Sequence, residues 1–128
     1  MLITNKPAIL IVDDDLAILK VFRRIFERKG YTVTLATEGK EALEKLHMEQ
    51  FDVALVDFGL PDMEGTKLLP EIQKSSPKTL KIMLTGKTFL EDQVKDADAF
   101  IGKPVNPEKL LSIIDTKIRD RTLEETEF

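Results

Sequence analysis

The sequence predicts an α/β fold: a doubly wound parallel sheet of five strands with helices on both faces. Three observations predict it. Five short apolar segments recur along the 128 residues. Amphipathic stripes with the helical period fall between most of them. Two of the segments are almost continuously apolar, as central strands covered on both faces must be. Strands that alternate with helices imply parallel pairing through right-handed crossovers.

The first segment, residues 8–13 (AILIVD), is one of the two buried runs. Leu19, Phe22 and Phe26 then recur at i, i+3 and i+7, with Ile18 and Ile25 widening the stripe. Gly30 follows as a stop signal. Residues 32–36 (TVTLA) form the second strand. Ala42, Leu43 and Leu46 mark a second helix, with Thr37 as its expected cap. Residues 52–57 (DVALVD) are the other buried run. Leu68, Leu69 and Ile72 mark a third helix, in which Pro70 must sit in the first turns or bend the axis. Residues 80–85 (LKIMLT) and 97–102 (ADAFIG) complete the strands. The intervening "GKTFLEDQVKD" leaves room for only a short helix. Leu111, Ile114 and Ile118 mark the last helix, opened by Asn106 as cap and Pro107 at the first helical position. The expected organisation is one domain over residues 1–121, with 122–128 as a polar, frayed tail.

Composition narrows the function classes. With 42% hydrophobic and 33% charged residues the chain reads as globular. A net charge of −4 gives no general nucleic-acid footprint. The absence of cysteine excludes disulfides, thiol catalysis and thiolate-bound metals. The N-terminal apolar run is short and ends in three aspartates, unlike a signal peptide. No segment approaches the ~18 apolar residues of a membrane span, so the expected location is cytoplasmic. The single histidine, His47, leaves zinc sites and Ser–His triads little support. It is read as a helix-surface residue rather than a phosphodonor. "GKT" at 86–88 resembles a phosphate loop, but Lys81 occupies the place of the required glycine. Asp57-Phe58-Gly59 matches the magnesium-binding tripeptide of protein kinases, yet no Gly-rich phosphate loop or H-R-D segment accompanies it.

In open α/β sheets, sites form beyond the carboxyl ends of the strands. The first strand ends in Asp13, Asp14 and Asp15, the third in Asp57, and the fourth in Thr85 and Gly86. Lys103 and Pro104 follow the fifth. Clustered carboxylates stay ionised only beside a cation. All-oxygen ligation suits Mg²⁺, which shares its shell with water and phosphate oxygens. A hydroxyl and an ammonium across the site would hold other phosphoryl oxygens, and a carboxylate so supported can itself be the nucleophile.

The stretches "ILIVDDD", "DVALVDFGLPDMEG", "IMLTG" and "FIGKP", in that order over residues 7–120, resemble a response-regulator receiver domain. This is the CheY-like phosphoacceptor half of two-component signalling. The resemblance implies a flavodoxin-like fold with strand order 2-1-3-4-5. It makes Asp57 the phosphorylated aspartate and assigns Mg²⁺ (or Mn²⁺) to Asp13, Asp14, Asp57 and the Gly59 backbone carbonyl. Thr85 and Lys103 would bind the phosphoryl group, and Phe100 would be the switch aromatic. Lys103–Pro104 would be a cis bond. The implied donor is a sensor histidine kinase or a histidine phosphotransfer protein, and the implied reader is a downstream protein effector. Phosphorylation-dependent homodimers fit the resemblance. Direct nucleic-acid binding, membrane association and metabolic catalysis do not.

Two features depart from the family pattern. The stretch from Thr85 to Lys103 is short by roughly one helical turn, which truncates the family's fourth helix. Gly59 and Lys87 occupy the positions that tune dephosphorylation, and Gly59 has no side chain to orient water. A phosphatase with an aspartate nucleophile is the competing enzyme reading, and an unphosphorylated interaction module is the competing binding reading. The first wants an acid at position 59. The second leaves the intact acidic pair, Thr85 and Lys103 unexplained. Asp15 is read as a helix-start carboxylate and Asp62 as a loop residue beside Pro61 and Gly65.

Overall fold

The computed structural model describes residues 6–86 and 96–126, with side chains as far as residue 120. The strands are β1 (Ala8–Val12), β2 (Thr32–Ala36), β3 (Val53–Asp57), β4 (Leu80–Thr85) and β5 (Ala99–Gly102). The helices are α1 (Leu16–Arg28), α2 (Gly39–Met48), α3 (Leu68–Ser75) and α4 (Pro107–Thr126). All strand pairs are parallel, in the order β2-β1-β3-β4-β5. Fold class and strand order are as expected. The shortened helix expected between β4 and β5 falls on residues 87–95 and lies outside the described residues.

Alternation of side chains divides the core in two. Ile9 and Ile11, Val53 and Leu55, and Leu80, Ile82 and Leu84 face α1 and α4. Leu10 and Val12, Ala54 and Val56, and Met83 face α2 and α3. β1, β3 and β4 thus bury both faces, which is why their sequences show no polar alternation. Phe26 anchors the first layer, packed edge to face on Phe22 and Tyr31.

Local chemistry sets the helix ends. Asp15 Oδ1 accepts from the Ala17 and Ile18 amides at 2.9 and 3.3 Å and caps α1. Gly30, at φ 91°, ends it in the left-handed conformation. Asn106 caps α4 by accepting from the Glu108 and Lys109 amides. Pro70 is the third residue of α3, in the first turn, where an amide proton has no helical partner to lose. A 3₁₀ turn at Gly65–Lys67 leads into it.

Two expectations are corrected. The residue that precedes α2 is Glu38, not Thr37, and its side chain makes no capping bond. Thr37 instead donates its amide to Glu41 at 2.6 Å. Two of the orphan amides of α2 are met by Asp62 from another loop, a partner invisible to local sequence reading. Second, α4 continues through Thr126, into the stretch expected to be a frayed tail. After Pro107 no glycine or proline interrupts the stretch, so backbone propensity lets the helix run on.

Candidate functional site

Parallel register brings the strand ends together. Val12 lies opposite Val56 and Asp57 opposite Leu84. The chain therefore leaves β1 at Asp13 and β3 at Asp57 side by side. Thr85 closes β4 opposite Gly102, and its carbonyl accepts the Lys103 amide at 2.9 Å. Lys103 is carried back over the carboxylates in this way.

Lys103 Nζ lies 2.7 Å from Asp57 Oδ1 and 3.1 Å from Asp13 Oδ2. Asp13 is fully buried and Asp57 nearly so, whereas Asp14 is exposed at the mouth. The other Asp13 oxygen accepts the Asp15 amide at 2.9 Å. Ligand oxygens of Asp13, Asp14 and Asp57 all fall within 4.8 Å of one another. Three carboxylates thus face one ammonium.

Burial is the main reason that the Asp57 carboxyl is pushed above the usual carboxylate range. The hydrogen bond from Lys103 opposes this, and Asp13 and Asp14 add to it. Burial would lower the Lys103 ammonium, but its hydrogen bonds to Asp57 and Asp13 outweigh that and raise it. Excess negative charge with oxygen-only donors fits a divalent cation. Lys103 meets only part of the charge.

Behind β3, the loop 58–64 folds back on itself. The Phe58 amide donates to Leu84 O, the Gly65 amide donates to Phe58 O at 2.7 Å, and Gly59 bridges Glu64. A Cβ at Gly65 would run into the Asp57 carbonyl oxygen, so only glycine lets the chain pass this close. Gly59 is exposed, and a Cβ there would lie 4.0 Å from Asp57 Oδ2.

The structure brings Asp13, Asp14, Asp57 and Lys103 into one cluster, with Thr85 buried at the adjoining strand end. Phe100 pairs with Met83, on the Thr85 face and one step further from the site, and is half-buried. Lys103–Pro104 is cis, as the resemblance implied. Asp15 is a helix cap, and His47 is exposed on α2. Lys87 lies outside the described residues. Sequence reading missed the reach of Asp62 across to α2. The only local hint was an aspartate in a Pro/Gly loop, which has too many uses to be diagnostic.

The family model for the response regulator receiver domain matches residues 9–115. The chain belongs to the response regulator receiver family. Among curated relatives, it is 35% identical over 117 residues to the transcriptional regulatory protein GlrR of Escherichia coli. That match covers 88% of this chain and 26% of GlrR. It is 31% identical to the response regulator MprA of Mycobacterium ulcerans, covering 93% of this chain and 53% of MprA. The chain thus spans from about a quarter to about half the length of these relatives.

A CheY-like receiver domain from Methanospirillum hungatei superposes with a TM-score of 0.88 at 46% identity, covering 94% of this chain and 99% of that one. A response regulator from Burkholderia pseudomallei, solved with a phosphorylated aspartic acid, a calcium ion and citrate, gives 0.80 at 30% identity. Here the match covers 94% of this chain and 73% of that one. Receiver domains of two-component systems act between kinases and effectors. Among the described residues, no helix is long and apolar enough to cross a membrane.

Proposed function

We propose that this receiver accepts a phosphoryl group on Asp57 with Mg²⁺ in the acidic cluster, and that the modification switches a protein-interaction surface. The observation that carries this reading is Lys103 Nζ held 2.7 Å from Asp57 Oδ1 and 3.1 Å from Asp13 Oδ2 at the strand ends. Asp13, Asp14, Asp57 and the Gly59 carbonyl would hold the ion. Bound Mg²⁺ would neutralise phosphoryl charge, and Mn²⁺ would serve the same donors. The phosphorylated aspartate and bound calcium ion of the Burkholderia relative support the assignment.

The donor is a phosphohistidine of a sensor kinase or of a phosphotransfer protein. A carboxylate oxygen of Asp57 attacks phosphorus. The new P–O bond forms as the P–N bond breaks, and the imidazole leaves with its electron pair and takes up a proton. Lys103, already on Asp57, pairs with the phosphoryl oxygens as they arrive. The added charge and acceptors draw in the Thr85 hydroxyl, and Phe100 on the same sheet face follows. The reader is a protein effector or a second copy of the domain, in the cytoplasm, without direct nucleic-acid contact by this domain. The chain is a phosphoacceptor rather than a metabolic enzyme.

Intact-mass spectrometry with a small acyl phosphate and Mg²⁺ tests the reading. One phosphoryl adduct, labile to hydroxylamine, is expected, and Asp57→Asn should abolish it. An adduct that persists in that variant would disprove the assignment. Because Gly59 offers no side chain to align water, the adduct should decay slowly. Gly59→Asn should shorten its lifetime several-fold, and equal lifetimes would remove the role given to this position.

A further inference from the structure

We propose that Asp62 is a positioning residue for the metal site. Its carboxylate ties the loop 58–64 to the start of α2 and so fixes the direction of the Gly59 carbonyl. Asp62 Oδ1 accepts the Gly39 amide at 2.8 Å, and Oδ2 accepts the Lys40 amide at 2.9 Å. One carboxylate therefore satisfies two of the orphan amides of α2. Glu38, the residue in the capping position, contributes no side-chain bond, so α2 has no cap of its own.

Apart from this tether the loop is held by packing and by bonds near its ends. Its two ends are stitched together by the Gly59–Glu64 bridge and by the bond from the Gly65 amide to Phe58 O. These contacts close the loop on itself, and packing of Leu60 and Met63 on the α2–α3 side of the core holds it to the domain without a directional bond. Gly59 is exposed and has no side chain to pack. Asp62, three residues on, adds two directional hydrogen bonds to that packing. Gly39 shows how close the approach is, since a Cβ there would lie 2.5 Å from Met63 Sδ. The two backbone bonds also hold the Asp62 carboxyl below the usual carboxylate range, so the tether is charged at neutral pH and reinforced by the helix dipole.

The inference rests on the Gly59 carbonyl as a metal ligand, and the test separates the two. Mg²⁺ is titrated into the full chain at a temperature where every variant is folded, with backbone amide shifts as readout and Tm measured alongside. Asp62→Ala should weaken Mg²⁺ binding on the order of tenfold and lower Tm. Asp62→Asn, which keeps one acceptor oxygen, should recover part of both. Adding Glu38→Asp to Asp62→Ala gives α2 a local cap but no tether. The Mg²⁺ affinity of that double variant decides, whatever its Tm. Affinity that stays low supports the tether. Affinity that returns, or that never fell in Asp62→Ala, overturns it and leaves Asp62 a plain helix cap. Asp13→Asn is the control. If it binds Mg²⁺ like the parent, the metal reading itself has failed, and the role of Asp62 falls with it.

Discussion

Asp13, Asp14 and Asp15 are consecutive aspartates in three environments: buried against Lys103, exposed at the mouth of the site, and capping α1. Sequence alone separated Asp15 from the other two, because a strand end and a helix start meet there. Asp57 shows what burial adds. Its carboxyl titrates higher in the folded protein than in the unfolded chain. The folded state then holds more protons over that window, and stability falls as pH rises through it. Without divalent metal, Asp57→Asn should raise Tm by a few degrees at neutral pH and remove this fall, as followed by circular dichroism across the acid range. Tyr31 gives a second readout. It is the only tyrosine, and there is no tryptophan. Burial foremost, then Asp115 and Asp52, push its phenol up to about 12. Phenolate absorbance should therefore show a native midpoint about two units above that of the unfolded chain. Because the unfolded state loses this proton first, stability should decline as pH climbs past roughly 10.

Elements were legible where one residue type has one use. The Asn106–Pro107 start and the Gly30 stop of the flanking helices follow from local stereochemistry. The start of α2 did not, because its cap comes from 22–23 residues away. The difference between a local cap and a working carboxylate can be measured. Asp15→Ala should cost about 1 kcal/mol of stability in urea unfolding while phosphorylation of Asp57 persists. Asp13→Asn should show the reverse priority, with labelling lost first. Similar labelling defects in both variants would mean that Asp15 reaches the site.

For the whole molecule, the acidic cluster stores unfavourable charge that a cation relieves. Lys103 offsets part of it, and a bound divalent ion should offset the rest. A ligand that binds only the folded state stabilises it by about 2.7 kcal/mol at a hundred times its Kd. Saturating Mg²⁺ should therefore raise Tm by about 10 °C in calorimetry, and Asp13→Asn should cancel most of that rise. No shift in the parent protein would remove the metal from the site. The two core layers explain why this charge can be tolerated. Ahead of the acidic residues, β1 and β3 are buried by apolar side chains, so the acidic charge is confined to their ends, while the buried Lys81 of β4 is paired with Asp98.

By itself the sequence determined the α/β class, the five strands, most helix ends and the membership of the acidic site. Each of these depends on periodicity, local stereochemistry or the rule that sites form at strand ends. Only the tertiary structure decided how the site is assembled. It set Lys103 against both Asp13 and Asp57, gave Asp62 to α2 in place of Thr37, and carried α4 on to Thr126. The reason is range. These contacts join residues brought together by parallel register and loop closure, and short-range patterns in the chain carry no record of them.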